Sequence, residues 1–258
     1  DVYKRQEYHT CFHSSLMKLF KDHTIDGRNL FPGAAMVECY LAAGMQMIRK
    51  GDMKSSGCIE ITDVKFLQPF EIDVECKMVC EHIFGKSISL KDERYDSIFS
   101  TANKINVVQT ISTNCSSAVK SKIYDWQLEH VKEVKGISAR YENLELRGNH
   151  SGAFHTIHSA WMNEDCSSVL GKIHYSSTHN KQEHDDFYYF HPVLLDGVFQ
   201  LGAMMLKEDG SAWVPAGIER LLMHRPLSQE GNKMNDEEIW ARVKLKNKAK
   251  QSVIVEIE

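Results

Sequence analysis

One histidine set before a tight bend, and one aspartate embedded in an apolar run near the far end of the chain, make this sequence a candidate for proton-transfer chemistry. The first lies in Asp22-His-Thr-Ile-Asp-Gly-Arg-Asn-Leu-Phe-Pro-Gly33, where His23 precedes Gly27 by four residues and Pro32 by nine. Gly27 marks a backbone position expected to need unusual dihedrals, and Pro32 has the fixed φ that suits a helix entrance. Leu30 and Phe31 would supply apolar walls. A neutral imidazole, with a pKa near ~6.5, is the side chain best suited to accept a proton near neutrality. The plainer reading is a hydrogen-bonded structural histidine in a turn. The second segment is His191-Pro-Val-Leu-Leu-Asp-Gly-Val-Phe-Gln200. A carboxylate on an otherwise buried helix face is costly unless paired or protonated, so desolvation is expected to raise the pKa of Asp196 and let it donate a proton. Its plainer reading is an acid near a helix N-terminus, favoured by the macrodipole. Gln200 lies one turn later on the same face and is placed to hold the carboxylate. Gly197 permits close approach of a ligand or another backbone. A general base and a general acid facing one small site is the combined expectation.

Placing these two groups requires elements around them. Met36, Tyr40, Ala43 and Met47 form a helical stripe between Gly33 and Arg49, and most of the remaining surface is apolar, so a largely buried helix is predicted. Strand-like runs follow at 57–67, 71–83, 87–90 and 105–112, with Ile59, Ile61, Val64 and Phe66 alternating imperfectly as in a half-buried antiparallel sheet. The polar stretch 113–145 reads as a connection between halves, with a short helix near Tyr124–Val131. Strands are predicted at 154–161 and 167–175, then a charged loop at 178–186 and a second buried helix from Leu194 to Leu206. Runs at 217–223, 238–245 and 252–257 complete the second set. The order of strand material, proline, buried helix and antiparallel strands thus occurs twice, and aligning Pro32 on Pro192 sets Leu41 opposite Leu201. Two fused α+β units sharing one core follow, and a pseudo-twofold relation would bring His23 and Asp196 together. Residues Asp1 to Gln6 fit no predicted element, and the chain reads as excised from something longer.

Composition removes several classes of function. Hydrophobic residues are 42% and charged residues 26% of the 258, as in an ordinary globular protein. A net charge of −4 offers no polybasic field for nucleic acid. No apolar run approaches the ~20 residues that span a bilayer. The seven cysteines show no paired CxxC spacing, which points to reduced thiols and a cytoplasmic location. Cys76 and Cys80 share a face of a predicted strand and read as core. The thirteen histidines show no HxxxH and no His/Cys cluster at zinc spacing, so no metal is expected. His155 and His158 fall on opposite faces of a predicted strand.

With its spacing to Gly27 and Pro32, His23 resembles the first signature of polyketide synthase dehydratase domains, and Asp196 with Gln200 after His191-Pro192 resembles the second. The animal fatty acid synthase dehydratase is a more distant likeness. Trp213-Val-Pro-Ala-Gly-Ile-Glu-Arg220 is similar to the family's late strand, and the resemblance runs from about Phe12 to the end. It implies a double hotdog, with residues 1–125 carrying the histidine and 126–258 the aspartate. It also implies dehydration of a β-hydroxyacyl chain held on the phosphopantetheine arm of an acyl carrier protein. His23 would remove the α-proton and Asp196 would protonate the departing hydroxyl, with no metal or redox cofactor. Charge on the thioester oxygen calls for a backbone N–H, for which Gly33 and Gly152 are both candidates. The carrier protein, neighbouring synthase domains and a second copy of the chain are the implied partners. The family segment Tyr-Gly-Pro-x-Phe is matched by His150-Ser-Gly-Ala-Phe154, which keeps Phe154 and changes the other three positions. His150 is then either a substitute hydrogen-bond donor, a charged neighbour that weakens the acid, or a loop cap. Readings that compete with dehydration are a double-bond-shifting isomerase, a pyran-forming cyclase and a structural domain of a megasynthase.

Overall fold

The computed structural model describes residues 5–12, 14–49, 58–72, 76–83, 87–92, 97–108, 123–146, 148–175, 188–205, 214–223, 238–248 and 253–257. Two apolar helices form the middle of the molecule. α2 (Gly33–Arg49) starts immediately after Pro32, whose carbonyl accepts the amides of Ala35 and Met36 at 2.9 and 3.2 Å. Ala34, Ala35, Val37, Tyr40, Leu41 and Met47 are buried around nearly its full circumference, as its composition requires. α5 (Pro192–Ala203) has a proline in its first turn, and His191 caps it by accepting the Val193 N–H at Nδ1 (3.3 Å). The two helices touch each other, and their side chains belong to one continuous apolar core. Glu38 of α2 further ties the halves, because its carboxylate accepts the amides of Tyr189 and Phe190 at 2.5 and 2.9 Å.

Each helix lies against an antiparallel sheet. The first holds β1 (Arg5–Phe12), β5 (Cys76–Ile83), β6 (Ser87–Asp92), β7 (Ile98–Ala102), β4 (Cys58–Phe66) and β12 (Gly217–Met223) in that order, with β8 (Lys104–Val108) also paired to β4. The second runs β14 (Val253–Ile257), β13 (Glu238–Lys248), β11 (Ser168–His174), β10 (Ile157–Met162) and β9 (Lys132–Glu133). α2 packs on β4, β5 and β8, and α5 on β10, β11 and β13. The imperfect alternation in β4 has a local cause. Asp63 takes a left-handed backbone (φ 51°), and the buried set shifts there from Ile59 and Ile61 to Val64.

Several elements depart from the sequence expectation. Residues 5 and 6, assigned to no element, open β1, which pairs with β5 from Arg5↔Ile83 to Phe12↔Cys76. This is a polar edge strand, so its sequence carries little period-2 signal. The connection at 113–145 holds more structure than one short helix: residues 123–129 are helical (α3), and α4 (Ile137–Leu146) follows. β12 does not complete the second set. It pairs with β4 of the first sheet, from Gly217↔Lys65 to Met223↔Ile59. Alternation specifies which face a strand buries but not which free edge it joins. α5 ends at Ala203, short of Leu206. Cys80 is buried as core, and burial pushes its thiol up to about 12; the Cys76 side chain, the loop at 178–186 and Trp213 lie outside the described residues.

Candidate active site

His23 is fixed by a short hairpin that follows α1 (Ser14–Phe20). Its amide donates to the Phe20 carbonyl (3.0 Å), and β2 (Thr24–Ile25) then pairs with β3 (Arg28–Asn29). The two turn residues, Asp26 and Gly27, have φ of 50° and 73°, the pattern of a type I′ turn for which Asp-Gly is a favoured dipeptide. Beyond the hairpin, the Leu30 amide closes onto the His23 carbonyl at 3.1 Å, and His23 Nδ1 lies 2.8 Å from the Leu30 carbonyl. A carbonyl accepts only, so Nδ1 carries the ring proton and the Nε2 lone pair of the neutral ring faces the site. His23 is 5% exposed.

A second segment is zipped onto this hairpin. Gly27 N–H donates to Gly148 O (2.9 Å), Asp26 N–H to Asn149 Oδ1 (2.9 Å), His150 N–H to Thr24 O (2.9 Å) and Ser151 N–H to Asp22 O (2.8 Å). The Asp22 carboxylate then accepts Ala153 N–H at 3.1 Å, close beneath Gly152, whose φ of 50° and lack of Cβ leave room for it. This ladder holds the His150 ring edge-on to His23 at 4.9 Å and Phe154 tilted against His23 at 5.1 Å.

Asp196 arrives from the other half, on the first turns of α5. Its Oδ1 lies 3.6 Å from His23 Nε2, and its Oδ2 lies 3.6 Å from His150 Nε2. Gln200, one turn on, donates from Nε2 to Asp196 Oδ2 (2.7 Å) and to the Phe154 carbonyl (3.1 Å). Its Oε1 accepts the Tyr141 hydroxyl (3.0 Å), and that hydroxyl oxygen accepts Ile157 N–H (3.1 Å). Every group of the amide is thereby assigned, and the carboxylate is aimed by a chain that begins on β10. Tyr141, on α4, is a positioning residue in a segment that read as a connection, so no sequence signal marked it. Tyr141→Phe is expected to cost about 1–3 kcal/mol of stability by leaving Ile157 N–H and Gln200 Oε1 unpaired. It should also lower turnover with little change in KM, measurable by thermal denaturation beside steady-state kinetics.

The electrostatics reverse one expectation. Burial pushes the Asp196 carboxyl up, but the His23 imidazole beside it, with His150 and the Gln200 hydrogen bond, outweighs it and holds the group below its ordinary range. Burial likewise pushes His23 down, while the Asp196 carboxylate 3.6 Å away and the Leu30 carbonyl lift it above the ordinary value. Asp196 is therefore not a desolvated, protonated carboxyl in the resting site. Both shifts favour a single shared proton that resides on the imidazole. His150 is a different case, since burial drives it down to about 4 and it is neutral at pH 7.

The remaining sequence candidates have these places. Gly27 shapes the hairpin turn, and Pro32 opens α2. Gly33 lies in the first turn of α2 against the Phe66 ring, and Gly197 packs on Thr156 and Ile173. His155 is not in a strand: it follows a 3-10 turn (Gly152–Phe154), stacks on Tyr141 and places Nε2 3.0 Å from the His150 carbonyl. Asp22 and Asn149, which were not singled out, do the positioning work of the ladder.

Comparison with known proteins accords with this arrangement. Residues 3–95 match the family model described as polyketide synthase dehydratase domain, and residues 125–258 match that described as polyketide synthase dehydratase N-terminal domain. The dehydratase domain from the CurF module of curacin polyketide synthase is similar at 19% identity and TM-score 0.71, covering 100% of this chain and 92% of that one. A CurK dehydratase inactive mutant, aspartate to asparagine, is similar at 18% identity and TM-score 0.72, covering 98% and 91%. The dehydratase domain of a mycocerosic acid synthase-like synthase is similar at 15% and 0.70, covering 100% and 86%. No curated protein matches the chain at a significant level. Two buried helices against antiparallel sheets, a histidine and an aspartate brought together from opposite halves, and family matches over most of the sequence agree: the chain belongs to the polyketide synthase dehydratases and has their double-hotdog fold.

Proposed function

We propose that this domain removes water from a β-hydroxyacyl thioester delivered by an acyl carrier protein, giving the α,β-unsaturated thioester. The observation that carries the reading is the 3.6 Å approach of His23 Nε2 to Asp196 Oδ1 in a buried site. His23 Nε2 takes the α-proton, the electron pair forms the alkene as the Cβ–O bond breaks, and Asp196 gives its proton to the departing hydroxyl. Groups this close reach a C–H and a C–O bond on the same side of the chain, which favours syn elimination. Two inactive CurK mutants are each changed at one of the residue types that meet here, one at a histidine and one at an aspartate. The backbone amides of Gly152, between His150 and Phe154, and of Gly33, at the start of α2, remain the candidates for the thioester oxygen.

Proton bookkeeping constrains the cycle. The reactive form has neutral His23 and protonated Asp196, while the resting form is the ion pair. Both hold one proton, so binding of substrate need only move it across the pair. After elimination the pair is back in its resting form, and water carries off the proton that came from Asp196. Activity should therefore survive wherever the pair keeps one proton. Because Asp196 is lowered from 3.8 and His23 raised from 6.5, the acid limb of kcat/KM should lie below the first value and the alkaline limb above the second. A narrow bell confined between those values would contradict the shared proton.

The direct test supplies a β-hydroxyacyl pantetheine thioester and follows loss of water by mass spectrometry. A β,γ-alkene would promote the isomerase reading, and an oxygen heterocycle the cyclase. The reading requires no cofactor, so EDTA should leave the rate of metal-free protein unchanged. Neighbouring synthase domains, a cytoplasmic location and a homodimer accompany it as proposals; among the described residues no helix is long and apolar enough to cross a membrane.

A further inference from the structure

The same site gathers three side chains of metal-ligating type. Ligand atoms of His23, His150 and Asp196 all lie within 4.8 Å of one another, and among the described residues no other group of three such side chains comes together. Both imidazole-to-carboxylate distances are 3.6 Å. A tetrahedral zinc ion with bonds of ~2.0–2.1 Å separates its ligand atoms by roughly 3.3–3.4 Å, so the His23 edge to Oδ1 is close to chelating geometry, while His150 faces Oδ2 and reaches an ion on Oδ1 by turning its ring. The longer edge between the imidazoles closes by tilting His150, whose side chain is 15% exposed. The supporting contacts are also those of a metal site. The Leu30 carbonyl on His23 Nδ1 leaves Nε2 as the ligand nitrogen, and Gln200 anchors Asp196 Oδ2 while Oδ1 carries no such amide. Histidine spacing in the sequence could not show this, because folding assembles the trio from three separate segments.

We propose that His23, His150 and Asp196 bind one divalent transition cation, zinc above all, and that the bound ion blocks the site. Two nitrogens and one carboxylate oxygen suit zinc and leave a fourth position for water. The binding claim rests on geometry alone. The inhibition claim rests on the dehydratase reading, since a nitrogen bonded to metal has no lone pair for the α-proton.

The test titrates the metal-free full chain with zinc chloride in competition with a chelator, and with cobalt chloride followed by visible absorption. One equivalent should bind, and His150→Asn and Asp196→Asn should each weaken binding by at least ~10-fold. Asparagine tolerates the φ of 31° at position 150, and circular dichroism checks the fold of both variants. Imidazole nitrogen resonances of the wild-type protein give a readout without substitution: His23 and His150 should shift with zinc while His155 does not. Absence of one-to-one binding, equal affinity in both variants, or shifts confined to other histidines would overturn the site. Zinc should also stop water loss, reversed by EDTA. Turnover untouched by a stoichiometric ion would overturn the inhibition. Binding by a protein that shows no turnover without metal would instead remove the dehydratase reading and leave the metal site standing.

Discussion

His23→Ala and Asp196→Asn are each expected to slow water loss by about 10²–10⁴-fold, the range for loss of one positioned proton transfer. The asparagine is nearly isosteric and can still meet the Gln200 amide after an amide rotation, so the fold should survive and the loss should fall on kcat. Alanine at 23 removes the nitrogen that accepts the α-proton and leaves the Leu30 carbonyl without its imidazole donor. The pair passes a single proton between its members, so the double variant should be little worse than either single one. Single-turnover mass spectrometry on a β-hydroxyacyl pantetheine thioester reads all three. Turnover near the wild-type rate in either single variant would sink the assignment, and strictly multiplicative losses would count against a pair acting as a unit.

The second large effect is expected one residue further along α5. A Cβ at Gly197 would run into Thr156 Oγ1 and come 3.0 Å from Ile173 Cγ2, and both neighbours are buried. Thr156 sits beside β10 and Ile173 within β11, so neither can withdraw without moving the sheet. Gly197→Ala should therefore destabilise the domain by about 1–3 kcal/mol as overpacking, or roughly 2–4 °C of Tm per kcal/mol for a chain of this size. Relief comes most readily by lifting α5, which carries Asp196 away from His23, so activity should fall along with stability. Gly202 on the same helix supplies the contrast. Its Cβ would meet nothing nearer than 3.6 Å, and Gly202→Ala should gain up to about 1 kcal/mol from helix propensity. Equal Tm shifts for the two substitutions would show that the helix-to-sheet fit at Gly197 is looser than the geometry implies.

Some of this was written in the chain itself. α2 could be placed from Pro32 and a continuous apolar surface, because a buried helix has a long, redundant signal. The bend after His23 was legible at Gly27 for the same kind of local reason, since few residues accept positive φ, whereas Asp26 and the two-stranded hairpin around it emerged only in the fold. The chemical types at 23 and 196 were equally plain. Weak signals failed where the determining contact is remote. β1 is polar on an edge, α4 looks like a linker until Tyr141 meets Gln200, and β12 chooses β4 as its partner by availability of an edge.

Folding alone set the 3.6 Å between the His23 imidazole and the Asp196 carboxylate, the ladder that lays His150 against His23, and the electrostatic bias of the pair toward a charged imidazole. An isolated buried aspartate would hold its own proton. Placed between two imidazoles and an amide, the same side chain is biased toward giving it up, and that balance depends on distances no single stretch of sequence contains.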